Sequence, residues 1–246
     1  MSATTALTRS ELRLFLREPA ALFWIVAFPV LLLIVLGSIP SLREADPGTG
    51  VRIINYYTPV IILMSLAFLA VSTMPAVIAG YREQRILKRL ATTPIGSARM
   101  LGAQLLMYLG LAIAMALLVL AVARLAFDVP LPRQPLGFAI ALLLAIAALL
   151  AIGVLVAALV PTGRTAGAVG AMLFFPLMFF AGLWIPIPVM PDVLADIARY
   201  SPLGAATEAM TATAAGEWPT WWTLPVLAAY AVTCGGLAVR FFRWEP

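Results

Sequence analysis

Histidine, paired cysteines and glycine-rich phosphate loops carry much of the chemistry that proteins perform near neutral pH, and this chain has none of the three. Its 246 residues include no histidine and a single cysteine, Cys234. A zinc site of the usual Cys/His composition therefore cannot be assembled within one chain, nor can an intrachain disulfide. Serine–histidine and cysteine–histidine pairs are excluded for the same reason, as is histidine-based acid–base work. The one lysine, Lys88, lies in a charged stretch without the GxxxxGK[ST] pattern that cradles nucleotide phosphates. The sequence reads as that of a non-enzyme, with no catalytic residue, cofactor or metal of its own.

The elements that position the remaining side chains follow from composition. Apolar residues make up 63% of the chain and charged ones 11%, with a mean hydropathy of +1.03, against roughly 45–50% and about 25% in a soluble domain. The net charge of +5 is too small and too dispersed to line a nucleic-acid groove. A helix needs ~20 apolar residues to cross the hydrocarbon core, and six stretches qualify, at 20–40, 54–80, 100–126, 136–160, 165–186 and 219–240. They run continuously with no period of two, which favours helices over barrel strands. No A-x-A-like site follows the first, so it is expected to be a retained span. The fold class is all-α integral membrane, a single transmembrane domain over 1–246.

Sorting the charges by side sets the orientation. With both termini inside, eleven of the sixteen basic residues face the cytoplasm and five face out, which is the sense of the positive-inside rule. Ahead of the first span, 1–18 reads as an interfacial amphipathic helix, with Arg9, Arg13 and Arg17 at lipid headgroups and Leu12, Phe15 and Leu16 on a neighbouring arc. The loop at 82–94 is the densest charged stretch. Ile86, Leu87 and Leu90 form an apolar stripe on its short helix, and either the membrane surface or a docked partner protein covers it. Asp192 is expected to cap a short helix after Pro191. This helix and the next, within 190–215, read as a re-entrant hairpin before the last span. Gly163, Ala166, Gly167, Gly170 and Ala171 permit close helix approach, within the subunit or in a dimer. Pro176 is expected to kink its span. Phe174, Phe175, Phe179, Phe180 and Trp184 are either a lipophilic substrate path or bundle and lipid-facing aromatics.

The charged loop YREQRILKRLATTP and the block FAGLWIPIPVMPDVLADIARYSPLGAATEAM carry a resemblance. With the basic interfacial helix and six spans in this order, the chain resembles the ABC-2 type permeases, among them daunorubicin-resistance permeases and polysaccharide and lipooligosaccharide exporters. The matching loop positions are Arg82, Glu83, Leu87, Arg89, Leu90, Thr93 and Pro94. Those in the block are Pro186, Met190, Pro191, Leu194, Pro202 and Leu203. Arg85 departs from the pattern, since many relatives have glycine there, and no arginine follows Met210. The resemblance implies half of an exporter in a bacterial cell membrane. A second permease copy, identical or paralogous, pairs with it. A separate ABC ATPase supplies ATP and Mg and docks on the N-terminal helix and on the 82–94 segment, as a coupling helix that includes Arg85 and Ile86.

Other classes fit less well. An ion-coupled transporter places Asp, Glu or His within its spans, and the six charge-free span cores here contain none. A membrane-embedded transferase or protease needs a convergent polar site that the spans lack. A non-transporting sensor or assembly subunit on the same fold stays open.

Overall fold

The computed structural model describes residues 3–44, 52–86 and 97–241. All regular structure among them is helical. An amphipathic helix α1 (Ala3–Phe15) precedes α2 (Pro19–Ser38), α3 (Ile53–Glu83), α4 (Ser97–Phe127), α5 (Pro135–Leu159) and α6 (Gly163–Phe180). Two shorter helices, α7 (Asp192–Tyr200) and α8 (Pro202–Ala215), lead to α9 (Thr223–Phe241). Six of these, α2 to α6 and α9, are long and apolar enough to cross a membrane.

Local sequence sets where the later helices start and stop. Thr162 caps α6 by accepting from the Thr165 backbone N–H at 3.2 Å. Ser201 caps α8 through the Gly204 N–H at 3.0 Å, with Pro202 at the first helical position, where a missing N–H costs nothing. At the other end of α8, Gly216 adopts φ 106°, and the N–H of Glu217 reaches back to Ala212 O at 3.0 Å, the left-handed stop for which glycine is suited. Asp192 does not cap α7: it is the first helical residue, and the cap position belongs to Pro191, without a side-chain bond. Helix α6 ends at Phe180, short of residue 186, because the chain turns through Gly182 at φ 84°. The helix runs on through Pro176.

The bundle is organised around α3. Its outward turns reach α2, α4, α5, α6 and α8, and Val60 to Leu63 have no exposed surface. At 31 residues it is ~46 Å long, well beyond a hydrocarbon core of ~30 Å, so both ends project. Each end carries an arginine fastened to the C-terminus of a neighbour. Arg52 donates to Phe127 O at 3.3 Å and Asp128 O at 2.7 Å beyond α4, and Arg82 reaches the end of α5. The last carbonyls of a helix lack intrahelical donors and carry partial negative charge, so a guanidinium satisfies both needs there.

Two of the spans widen locally into π-helix, over Phe23–Ala27 in α2 and Phe68–Thr73 in α3. Each π segment ends two residues before a proline, Pro29 or Pro75. A proline ring crowds the carbonyl four residues back and offers it no N–H. Those carbonyls belong to Ile25 and Val71, inside the two widened turns. The segments face one another, and Trp24 stacks on Phe68 at 5.7 Å. The backbone of the second is gripped from both sides by glycines. A methyl at Gly153 of α5 would overlap Ala70 O, and one at Gly170 of α6 would overlap Val71 O. Gly163 packs less tightly on the same helix, with Ala76 O 2.8 Å from where its Cβ would be. Gly163, Ala166 and Gly170 of the small-residue stripe thus serve contacts within the chain, with Ala166 fully buried.

Candidate functional site

Where α3 leaves the bundle its last residues are stitched into the α5–α6 turn. The Arg82 guanidinium donates to Ala158 O at 3.3 Å and to Val160 O. The adjacent Glu83 carboxylate accepts from the Gly163 N–H at 3.0 Å, in the first turn of α6. A cation therefore sits at the negative end of one helix and an anion at the positive end of the next. Both residues were expected to face a partner, and both have partners inside the chain. Arg85 is exposed and Ile86 is half-buried. Leu87, Arg89, Leu90, Thr93 and Pro94, and with them most of the 82–94 segment, lie outside the described residues.

Arg85 holds a left-handed backbone, φ 56°, with its N–H on Arg82 O at 3.0 Å. A side chain pays a steric penalty in that conformation and glycine does not. Arg85→Gly is expected to stabilise the protein by about 1 kcal/mol, read as a higher melting temperature of the purified chain. A lower melting temperature would show that the left-handed turn is not kept.

Arg9 and Arg13 of α1, and Arg17 just beyond it, are exposed. The neighbouring arc is divided. Phe15 is buried, while Leu12 and Leu16 are 38% and 55% exposed. The face turned inward instead holds Glu11, whose carboxylate accepts from Tyr81 OH at 3.1 and 3.3 Å and from Gln104 Nε2 at 3.1 Å. The sequence pattern assigned Glu11 no role. Its position four residues before Phe15, on one helical face, was the available signal.

The aromatic residues divide. Phe68 meets Phe174 edge-on at 5.6 Å, Phe174 meets Phe175 at 5.9 Å, and Phe175 lies parallel to Trp184 at 6.3 Å. With Trp24 they form a ladder of five rings along α2, α3, α6 and the turn after α6, in which Phe175 and Trp184 are 61% and 51% exposed. Phe179 and Phe180 are a separate pair at 5.3 Å. Trp24 and Phe68 were missed because each belongs to a different span from the run that drew attention. The foot of the ladder opens into a half-open cleft of about 750 Å³ between α1, α2, α3, α4 and α6, on whose wall Gly167 and Ala171 lie.

At the opposite end α7 and α8 close over the bundle. Thr207 donates to Ala181 O at 2.9 Å, and Glu208 accepts from Thr220 at 3.1 Å. Asp196 pairs with Arg199 at 3.3 Å on the surface. Leu203, Ala205, Ala206, Ala209 and Met210 are fully buried against the bundle. Among the described residues no group of three His, Cys, Asp or Glu is placed to hold a metal ion.

Six apolar helices, one of them buried at the centre of the bundle, with charge confined to the ends, define a multi-pass membrane protein. Residues 2–214 match the model of the ABC-2 type transporter. The chain belongs to that family and is the permease component of an ABC transporter, a class that associates with an ABC ATPase. No curated protein matches it.

Proposed function

We propose that the chain is the membrane half of an ATP-driven exporter in a bacterial cell membrane. It works as a dimer, identical or paralogous, with separate ATPase subunits, and moves a lipophilic drug, natural product or lipid-linked molecule outward. It performs no chemistry itself; ATP and Mg belong to the ATPase. The α1 end of the bundle, with both termini, faces the cytoplasm, and α7 and α8 form a re-entrant cover on the outer side.

The observation that carries this reading is the fastening of Arg82 and Glu83 across the α5–α6 turn. A segment that ends on those two residues cannot shift without pulling on α3, α5 and α6 together. ATP-driven closure of the partner subunits would move the 82–94 segment and so bias the bundle between inward and outward states. The aromatic ladder supplies an apolar route beside the same helices.

Co-reconstituted with its ATPase in vesicles, the chain is expected to give ATP-dependent, vanadate-sensitive movement of a lipophilic fluorescent amphiphile across the bilayer. Vesicles lacking either component should give none. A failure to move any of a drug-like, a natural-product and a lipid-linked amphiphile under ATP would overturn the export reading.

A further inference from the structure

We propose that the cleft at the foot of the aromatic ladder binds a hydrophobic molecule carrying one positively charged nitrogen, with Glu11 as its counter-ion. The inference names the cargo class of the exporter proposed above and rests on that reading where it takes the occupant to be cargo.

Glu11 is 5% exposed, and it is the one charged side chain buried to this degree among the described residues. Buried carboxylates are almost always paired with a cation, because an isolated charge away from water costs several kcal/mol or more. Here the three contacts to Tyr81 and Gln104 come from neutral donors. Arg124–Asp128 and Arg199–Asp196 pair elsewhere, and Arg9 and Arg13 of α1 and Arg17 just beyond it are exposed, none of them ion-paired with Glu11. The carboxylate is thus held in place by hydrogen bonds on a wall of the cleft and has no ion-pair partner among the described residues.

A second unsatisfied group lies on the same wall. Ser72 is 8% exposed and its Oγ has no hydrogen-bond partner. A helical serine ordinarily bonds the carbonyl four residues back, as Ser65 does to Ile61 O at 3.3 Å. Ser72 stands in the widened turn of α3, and its oxygen is free to accept from a ligand N–H. Arg17 and Glu18, both exposed, also line the cleft with opposite charges, and most of the remaining lining is apolar or aromatic, with Trp24, Phe68 and Tyr108 in it. Ring faces attract cations and cover an apolar body.

These features select against the alternatives. An anionic ligand would meet the Glu11 carboxylate, and a neutral one would leave it unpaired. A hard metal ion needs several oxygen ligands, and no group of three acidic, histidine or cysteine side chains is gathered among the described residues to supply them. The charged nitrogen has two sources, a free amphiphilic amine or the ammonium head of a bilayer lipid such as phosphatidylethanolamine, and both would enter through the open side of the cleft.

Binding can be read without ATP or the ATPase. The full chain in phosphatidylglycerol nanodiscs would be titrated with pyrenebutyl-trimethylammonium, with the neutral pyrenebutanol and with pyrenebutyrate, following energy transfer from tryptophan. The cation is expected to bind at least about tenfold more tightly than the alcohol, about 1.4 kcal/mol, with the carboxylate weakest. Glu11→Gln keeps a hydrogen-bonding group of the same shape and should erase the preference for the cation while leaving the alcohol within about twofold. Glu11→Asp, the second variant, should retain the preference. Competition by phosphatidylethanolamine built into the nanodisc would identify a lipid head as the occupant, and lack of competition a free amphiphile; both support the site. Equal binding of cation and alcohol by the unmodified chain, or a preference that survives Glu11→Gln, would overturn it. Either result leaves the vesicle transport assay untouched, and a failed transport assay beside Glu11-dependent binding would remove the exporter and keep the site.

Discussion

Gly153→Val is expected to unfold or grossly destabilise the bundle, with the variant either failing to accumulate in membranes or melting far below the unmodified chain. The position is in the middle of α5, where a valine is apolar and harmless to a span by composition. Its neighbour decides the outcome. A Cβ there would overlap the carbonyl oxygen of Ala70, and the Met74 methyl would lie 2.6 Å away. The methionine end can swing aside, but the carbonyl belongs to the π segment of α3. That segment is held on its far side by Gly170, whose Cβ would stand 2.7 Å from Ser72 Cα. Neither helix can back away without opening the contact along its length. Overpacking in a well-filled core costs about 1–3 kcal/mol and occasionally more, and a clash with clamped backbone belongs at the upper end. Gly236→Ala, where an added Cβ meets nothing within 4 Å, is the control: it should fold normally and gain about 1 kcal/mol or less from helix propensity. If the two variants melt alike, α5 and α3 do not touch as described.

Replacing Arg82 and Glu83 together by alanine is expected to leave a folded permease that binds its ATPase and transports at least about tenfold less per ATP hydrolysed, a loss equivalent to about 1.4 kcal/mol of coupling. Arg82 is half-buried and Glu83 exposed, so their hydrogen bonds to three backbone groups are partly screened by water. Their loss costs about 1–3 kcal/mol of stability in total, which a bundle with this buried core survives. Coupling is more sensitive, because these two side chains are the described links between the end of α3 and the α5–α6 turn. Arg82→Lys tests the geometry: a single ammonium keeps the charge but not the planar fork that reaches Ala158 O and Val160 O, so it should restore only part of the loss. Measuring substrate moved per ATP in vesicles checks both. Full transport per ATP by the double variant would show that force enters by another route.

How far the sequence could be read depended on whether a feature was local to one helix. The spans are local: apolar length alone located six helices close to where they lie, and Ser201–Pro202 marked the start of α8. Arg9, Arg13 and Arg17 were placed outward from their own four-residue spacing. The identity of the surface opposite them was not local. Lipid and neighbouring helix look the same to a single periodicity, and it took Tyr81 and Gln104, 70 and 93 residues further on, to make Glu11 the buried member of that face. The intrachain bonds of Arg82 and Glu83 were hidden in the same way. Their partners are backbone groups 76 to 80 residues distant, and backbone groups leave no mark in side-chain identity. The π turns left one, in Pro29 and Pro75, but a proline inside an apolar run predicts a disturbance without saying whether it bends the helix, as expected of Pro176, or widens it.

The widened turn in α3 also changes how positions along this helix should be counted. A π turn accommodates one residue more than an α turn, so the helix beyond Thr73 runs one residue out of phase with the count before Phe68, an offset of roughly 100°. Steps of three, four and seven taken across 68–73 therefore join residues on different faces. Tyr81 and Arg82 point at α1 and α5 because of that inserted phase, and a helical wheel drawn through the whole of α3 would assign them to the wrong neighbours.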